Sequence, residues 1–436
     1  GTFTAVPYYY KVREYSDFES RDLWSYDLSL TPDELKMLVG HIWEEGSTYY
    51  DYFYFTENCS YHMFTLLDAA APRLGLAKRL AYYVIPSDTI RVLYSVPGLV
   101  SRVTYRPSVL SQFRYRLKIL SPLEIEGLDT VLKARDPSRL HTGLARTSQA
   151  KILDAFSDQV ELSAPKELLR DGSPSQILKQ KILVQRSSLG VRSETLEVPA
   201  PLRNAPHLEH GMRRLSLGFA SEAGKGGAEV IGYKLSMHEL LDPGIGYPRN
   251  MQVDFGQIRL RYRNRSDTFR HALEVDEINI LKMTALTPVN RYFSTKSVRA
   301  EIGWKKTIDS DCRNPEQRCL PFNAEYSPGL TLDPTGHEDV SLFAFLGPRL
   351  TFTPNYQGVK FRLAAGPRVG ALVHFTDNLR FMVSSEVMLR AFAERDLMFS
   401  NEVTVRYGFM EGWAVDLSAK RERDFSEAMT QLHFYY

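Results

Sequence analysis

The fold of this chain is decided by a stretch beyond its middle, Val298-Arg299-Ala300-Glu301-Ile302-Gly303-Trp304-Lys305. Apolar side chains alternate there with charged or small ones, which is the period of a β-strand that has one apolar face and one polar face. The same period of two begins near Met212 and continues to the C-terminus. We count roughly twelve such strands, most of them about 9 to 12 residues long.

These strands predict an antiparallel β-barrel in an outer membrane, with a soluble β-domain as the alternative. Charges recur on one face of successive strands, as a polar lumen requires, and the strand length fits a tilted membrane crossing. The last strand, Gln431–Tyr436, ends on an aromatic residue, which suits a membrane interface. The alternation slips near Gly256 and Asp276, which predicts one-residue bulges. Turns are predicted at residues 366–368 and 410–412.

Length and composition limit the classes of protein to which the chain can belong. Its 436 residues predict two or three domains, and its 43% hydrophobic and 24% charged content is that of a folded protein. A net charge of +2 argues against a nucleic-acid partner. No apolar run reaches the roughly 18 residues of a membrane-spanning helix. Because the first residue is Gly1 and not Met, we expect that processing or truncation removed the start.

The N-terminal half predicts an α+β domain followed by helices. A strand is expected over Asp22–Leu30, and Thr31-Pro32-Asp33-Glu34 is a capping box that opens a helix. The apolar face of that helix comprises Leu35, Leu38, Val39, Ile42 and Trp43. We therefore expect an α+β domain over residues 1–110, a helical region over 111–192, a proline-containing linker over 193–211 and the barrel over 212–436. His207 and His210 are expected in a solvated linker, since a metal site lacks further ligands there.

One cysteine has the surroundings of a nucleophile. Aromatic residues at Tyr52–Phe55 favour a strand, Asn58 is a preferred helix N-cap, and helical spacing follows from Met63 onward. Cys59 is then expected in the first turn of a helix, where the dipole and free amides favour a thiolate and could hold an oxyanion. The alternative is a buried structural cysteine.

The other two cysteines predict a disulfide. Cys312 and Cys319 lie close together in a polar segment that contains Pro315, which indicates a disulfide-closed loop and an oxidising compartment. A metal pair is less favoured because no second pair of Cys or His lies nearby. Cys59 is then the odd, free thiol. No metal and no cofactor are predicted.

Several segments together carry a resemblance to the bacterial Lnb N-terminal periplasmic domain family, in which Lnb is a lipoprotein N-acyltransferase. The resemblance covers about residues 1–110, and a C-terminal region like that of proteobacterial members follows, including His238–Pro243. The Asn58-Cys59 turn also resembles permuted papain-like acyltransferases, although their histidine stands two residues after the cysteine and His62 stands three after. The segments are Arg21–Leu28, His41–Glu44, Tyr54–Tyr61, Val84–Thr89 and Tyr105–Ser108.

The resemblance implies a thiol-dependent acyltransferase, or a related hydrolase, that acts on lipoprotein or lipid acyl groups at the periplasmic face of the outer membrane. Cys59 would carry the acyl group, with Glu57, Asn58 and Ser60 supporting it. The family's base is a histidine in a Gly-His segment upstream of this part, so either that histidine precedes this sequence or His62 or His41 replaces it. The implied partners are a lipoprotein or phospholipid substrate and the outer membrane, with no nucleic acid. The alternative is a non-catalytic outer-membrane barrel whose periplasmic domain binds a partner.

Overall fold

The structure is a computed structural model, and it consists of two compact units, Gly1–Leu202 and Arg203–Tyr436. It describes residues 1–2, 6–80, 83–192, 195–224, 226–263, 273–293, 295–308, 312–313, 318–391, 397–423 and 425–436.

The first unit is mainly helical and contains one two-stranded sheet. Strands β1 (Leu23–Leu28) and β2 (Val100–Arg106) pair in antiparallel fashion. The predicted capping box at Thr31 is present before α2, and Ser121 forms a second capping box before α6. The helices are α1 (Tyr8–Val12), α2 (Pro32–Glu45), α3 (Cys59–Ala70), α4 (Pro86–Tyr94), α5 (Val109–Ile119), α6 (Pro122–Ala134), α7 (Arg146–Ser163) and α8 (Pro174–Ser188).

The apolar face of α2 is exposed, with Trp43 87% accessible, because only Leu38 reaches the core that α3 and α4 form. One prediction for this unit is wrong. Tyr52–Phe55 form no strand; Phe53 and Glu57 instead close a tight turn through backbone bonds of 3.3 and 3.0 Å. Aromatic residues stabilise a strand by packing against neighbouring strands, and these aromatic side chains remain exposed.

The second unit is a closed antiparallel barrel of twelve strands, as the alternation predicts. The last strand, β16, pairs with β3, and β10 pairs with β7. The barrel strands are β3 (Arg214–Glu222), β4 (Gly226–His238), β5 (Met251–Tyr262), β6 (Leu273–Ala285), β7 (Ser297–Lys305), β10 (Phe322–Leu332), β11 (Val340–Phe352), β12 (Phe361–His374), β13 (Leu379–Ala391), β14 (Leu397–Met410), β15 (Trp413–Glu422) and β16 (Phe425–Tyr435). A short pair, β8 (Thr307–Ile308) and β9 (Arg318–Cys319), lies in the connection between β7 and β10.

The two faces of the barrel differ in polarity as predicted. Ile302 on β7 is exposed on the outer surface, whereas Arg299 on the same strand is buried and donates to Glu325 across 3.1 Å. Other strands expose Leu217, Phe219, Leu346 and Phe409. An apolar outer band around a charged interior is the arrangement of an outer-membrane barrel. Among the described residues, no helix is both long and apolar enough to cross a membrane.

The details of the strands confirm one predicted turn and one of the two predicted bulges. Residues 410–412 connect β14 to β15, but residues 366–368 lie inside β12. Pro367 fits there because the β12–β13 pairing is interrupted between Ala365 and Arg368, where a proline lacks its N–H. The pairing of β5 with β6 skips Asp276, as predicted. The φ angle of Gly256 is +64°, but β5 keeps one register with β4 and with β6 on both sides of this residue, so the bulge predicted there is wrong.

The predicted disulfide joins Cys312 to Cys319, with 5.7 Å between the Cα atoms. It closes part of the connection between β7 and β10 and packs against Tyr356. Cys59 is free and exposed.

Candidate functional site

Cys59 is the first residue of α3, and the side chain of Asn58 holds this end of the helix in place. Asn58 is 4% exposed and uses its whole amide group. Its Oδ1 accepts from the backbone N–H groups of Ser60 (3.1 Å) and Tyr61 (3.3 Å). Its Nδ2 donates to the carbonyl oxygens of Val84 (2.7 Å) and Tyr54 (3.2 Å). The cap therefore also ties the turn before Cys59 to the segment before α4.

This cap uses the amides that the sequence analysis assigned to the sulfur. Ser60 N and Tyr61 N donate to Asn58 Oδ1, and His62 N donates to Asn58 O at 3.1 Å. The expectation that first-turn amides are free to hold an oxyanion is therefore wrong for these three residues.

The structure brings Cys59, Asn58, Ser60 and Glu57 together but does not place a histidine against the thiol. His62 Nε2 lies 3.2 Å from the carbonyl oxygen of Asp51, and the His62 ring packs 4.0 Å from the ring of Tyr50, centroid to centroid. Within the described chain, no hydrogen bond joins His62 to Cys59. His41 contacts its helix neighbour Glu44 at 3.1 Å.

Cys59 is open to solvent, so the alternative of a buried structural cysteine does not hold. Tyr54 is 74% exposed, and the neighbouring apolar side chains are exposed as well. These are Tyr52, Phe53, Phe55 and Met63.

A second site, which the sequence analysis did not identify, lies in the barrel lumen. The segment Glu239–Asp242 follows β4 and carries two carboxylates into a set of buried cations. Asp242 accepts from Arg214 (3.2 Å), Lys234 (3.1 Å) and Arg406, and from the hydroxyl of Tyr435 (2.7 Å). In the sequence, only the resemblance at His238–Pro243 pointed to this segment. Nothing in that motif indicates that the partners of Asp242 lie so far away along the chain.

Glu239 binds the same two arginines as Asp242. It accepts from Arg214 at 2.6 Å and from Arg406 at 2.8 Å, so both arginines bind both carboxylates. The Glu239 amide donates to Asp242 Oδ2 at 2.8 Å, which closes the segment into a turn. Paired and hydrogen-bonded in this way, the buried charges avoid most of the penalty of leaving water.

The expectation of a solvated linker fails at His210. Its ring packs against those of Tyr247 (4.8 Å) and Tyr435 (4.3 Å), and its Nδ1 lies 2.7 Å from the carbonyl oxygen of Gly211. Burial lowers the pKa of His210 to about 4, so it is neutral at pH 7. His207, three residues earlier, is partly exposed. The described residues contain no group of His, Cys, Asp and Glu side chains that could hold a metal ion.

Two family models match the chain. The model of the Lnb N-terminal periplasmic domain matches residues 1–96, and the model of a domain of unknown function, DUF7840, matches residues 203–436. None of the curated proteins compared with the chain matches it.

Solved structures similar to the chain include a porin and an outer membrane channel. An outer membrane channel from Pseudomonas putida F1 is 8% identical, with a TM-score of 0.33, over 55% of this chain and 100% of the channel. A KdgM porin in complex with disordered oligogalacturonate is 6% identical, with a TM-score of 0.28, over 51% and 99%. LpxR from Salmonella typhimurium is 11% identical, with a TM-score of 0.29, over 51% and 100%.

Proposed function

We propose a function from the premise that the chain belongs to the DUF7840 family, whose model covers more than half of its residues. The protein is a bacterial outer-membrane β-barrel with a periplasmic N-terminal domain of the Lnb type. Its periplasmic domain acts as a thiol acyltransferase, or a related hydrolase, on lipoprotein or lipid acyl groups. The barrel anchors that domain at the membrane.

The observation that carries this proposal is the placement of Cys59. The thiol is free and exposed at the first position of α3, and the fully bonded amide of Asn58 fixes that position. A helix N-terminus favours the thiolate, which is the reactive form of cysteine. A thiolate that is open to solvent and fixed in place suits the attack on an acyl carbonyl carbon.

The chemistry takes two steps. In the first, the Cys59 thiol gives its proton to water and Sγ attacks the ester carbonyl of an acyl donor; the C–S bond forms, the ester C–O bond breaks, and the leaving alkoxide takes a proton from water. In the second, an acceptor amine attacks the thioester, which gives an amide and the free thiol; with water as acceptor the product is a carboxylic acid. Among the described residues, no hydrogen bond joins His62 or His41 to the sulfur, so the proposal assigns neither histidine the role of the base.

The test is to trap the acyl group on Cys59. The full-length protein in detergent micelles is mixed with phospholipid, and tryptic peptides are examined by mass spectrometry before and after hydroxylamine, which cleaves thioesters. We expect an acyl adduct on the Cys59 peptide that hydroxylamine removes and that is absent from Cys59→Ser. Ser60→Ala is the matched control and should form the adduct. A protein that forms no adduct, or one whose adduct persists in Cys59→Ser, would rule out this function.

A second candidate, a non-catalytic periplasmic domain that binds a partner, is favoured by the exposed apolar face of α2. Trp43, Val39 and Leu35 are all exposed on that helix. If binding is the function, a strain that lacks the protein should regain its normal phenotype with the wild-type protein or with Cys59→Ser, but not with Trp43→Glu. The opposite result would favour the acyltransferase.

A further inference from the structure

We propose that the barrel is closed at both ends and conducts no ions, so that it serves as an anchor in the membrane and not as a pore. The proximal end is the one where β3 begins and β16 ends, and the distal end is the opposite one. The proximal closure is the segment Glu239–Asp242, here called the plug. The distal closure is formed by Arg318 and its carboxylate partners, here called the clasp.

The plug crosses the lumen. It leaves β4, yet Leu240 and Leu241 pack in one buried cluster with Phe343 and Phe345, which belong to β11 on the opposite side of the barrel. Arg380 of β13 also donates to the carbonyl oxygen of Leu240 at 3.0 Å. The plug is therefore held to β3, β4, β14 and β16 by its carboxylates and to β11 by its leucines.

The clasp joins distant strands at the distal end. Arg318, next to the disulfide-bonded Cys319 in the β7–β10 connection, donates to Glu222 at the end of β3 at 2.7 and 2.9 Å. It also donates to Glu274 of β6 at 3.0 Å, and Arg263 bonds the same Glu222. The side chains of Arg318 and Glu222 are 4% and 1% exposed. The disulfide holds the connection from which Arg318 reaches across.

A polar cavity of about 210 Å³ lies in the lumen beyond the plug. Its lining extends from Leu240 and Leu241 to Lys306 and Glu427, so the space continues from the plug toward the distal half of the strands. Because the plug and the clasp are in series, current through the barrel is limited by whichever of them remains closed. Opening one closure alone should leave the conductance low.

The test is the ion conductance of the full-length protein in planar lipid bilayers, with the wild type and four variants compared. The plug variant is Glu239→Gln/Asp242→Asn, the clasp variant is Arg318→Ala, and the combined variant carries all three changes. Glu411→Gln, an exposed carboxylate in the β14–β15 turn at the proximal end, is the matched control. Heat-dependent migration in gels shows whether each barrel has folded.

We expect no channel events from the wild-type protein, the control or either single-closure variant. The combined variant should conduct at least about tenfold above the wild-type background, because losing the partners of buried charges shifts a two-state equilibrium by that much or more. If the plug variant fails to fold, Leu240→Ala/Leu241→Ala replaces it, since this change loosens the plug without stranding a charge.

Three results would overturn the proposal. Wild-type protein that conducts like an open barrel would show that the lumen is not closed. A single-closure variant that conducts would show that the other element does not close its end. A folded combined variant that stays silent would show that the plug and the clasp are not the barriers.

Discussion

Replacing Asn58 should destabilise the periplasmic unit far more than a lost helix cap would. Asn58→Ala removes the acceptor of two first-turn amides, which costs about 1 kcal/mol of the free energy of unfolding. It also leaves the carbonyl oxygens of Val84 and Tyr54 without their donor, and Val84 is buried. An unsatisfied buried acceptor costs about 1–3 kcal/mol, so the total is about 2–4 kcal/mol.

Asn58→Ser separates the two contributions. Serine caps a helix about as well as asparagine does, but its short side chain cannot donate to both carbonyl oxygens. We therefore expect Asn58→Ser to lose about 1–3 kcal/mol and Asn58→Ala to lose about 1 kcal/mol more.

The assay is a urea titration of the full-length protein in detergent micelles. Fluorescence of Trp24 and Trp43 reports the periplasmic unit once Trp304 and Trp413 in the barrel have been replaced by Phe. Equal stability of Asn58→Ser and the wild type would refute the contribution of the donated bonds. An Asn58→Ala variant within about 0.5 kcal/mol of the wild type, the range of an ordinary surface change, would refute the whole account of how Cys59 is positioned.

Three further results are expected. Ala300→Arg, which places a charge on the lipid face of β7, should cost about 2–4 kcal/mol and lower the yield of folded barrel in gels. Burial raises the pKa of Asp158 to about 6 despite its bond to Arg116, so the native state binds more protons than the unfolded state between about pH 4 and 6. The free energy of unfolding should therefore fall by up to about 3 kcal/mol as pH rises through that window. Asp158→Asn should remove this fall in urea titrations. Alkylation without reduction should spare Cys312 and Cys319 and modify Cys59; alkylated loop cysteines in the mass spectrum would contradict the disulfide.

The sequence by itself determined the features that depend on neighbours within a few residues. The alternation at Val298–Lys305 assigns each side chain to the lumen or to the outer surface, because successive residues of a strand point to opposite faces. The N-cap at Asn58 and the capping boxes follow from bonds that span two or three residues. Repetition of such local signals also gave about the right number of strands and the closing strand at the C-terminus.

Only the tertiary structure decided which of these groups meet. Asp242 and Arg406 are 164 residues apart in the chain, and their contact exists because β4 and β14 belong to one closed barrel. The exposed face of α2 has the same apolar pattern as a buried one, since a pattern shows that a face is apolar but not whether another element covers it. Pro367 predicts a turn as long as its neighbouring strand is unknown. The free-energy cost of its missing N–H depends on whether a carbonyl oxygen of a neighbouring strand lies opposite. Local patterns determine the direction in which a side chain points, and the path of the whole chain determines which groups it contacts.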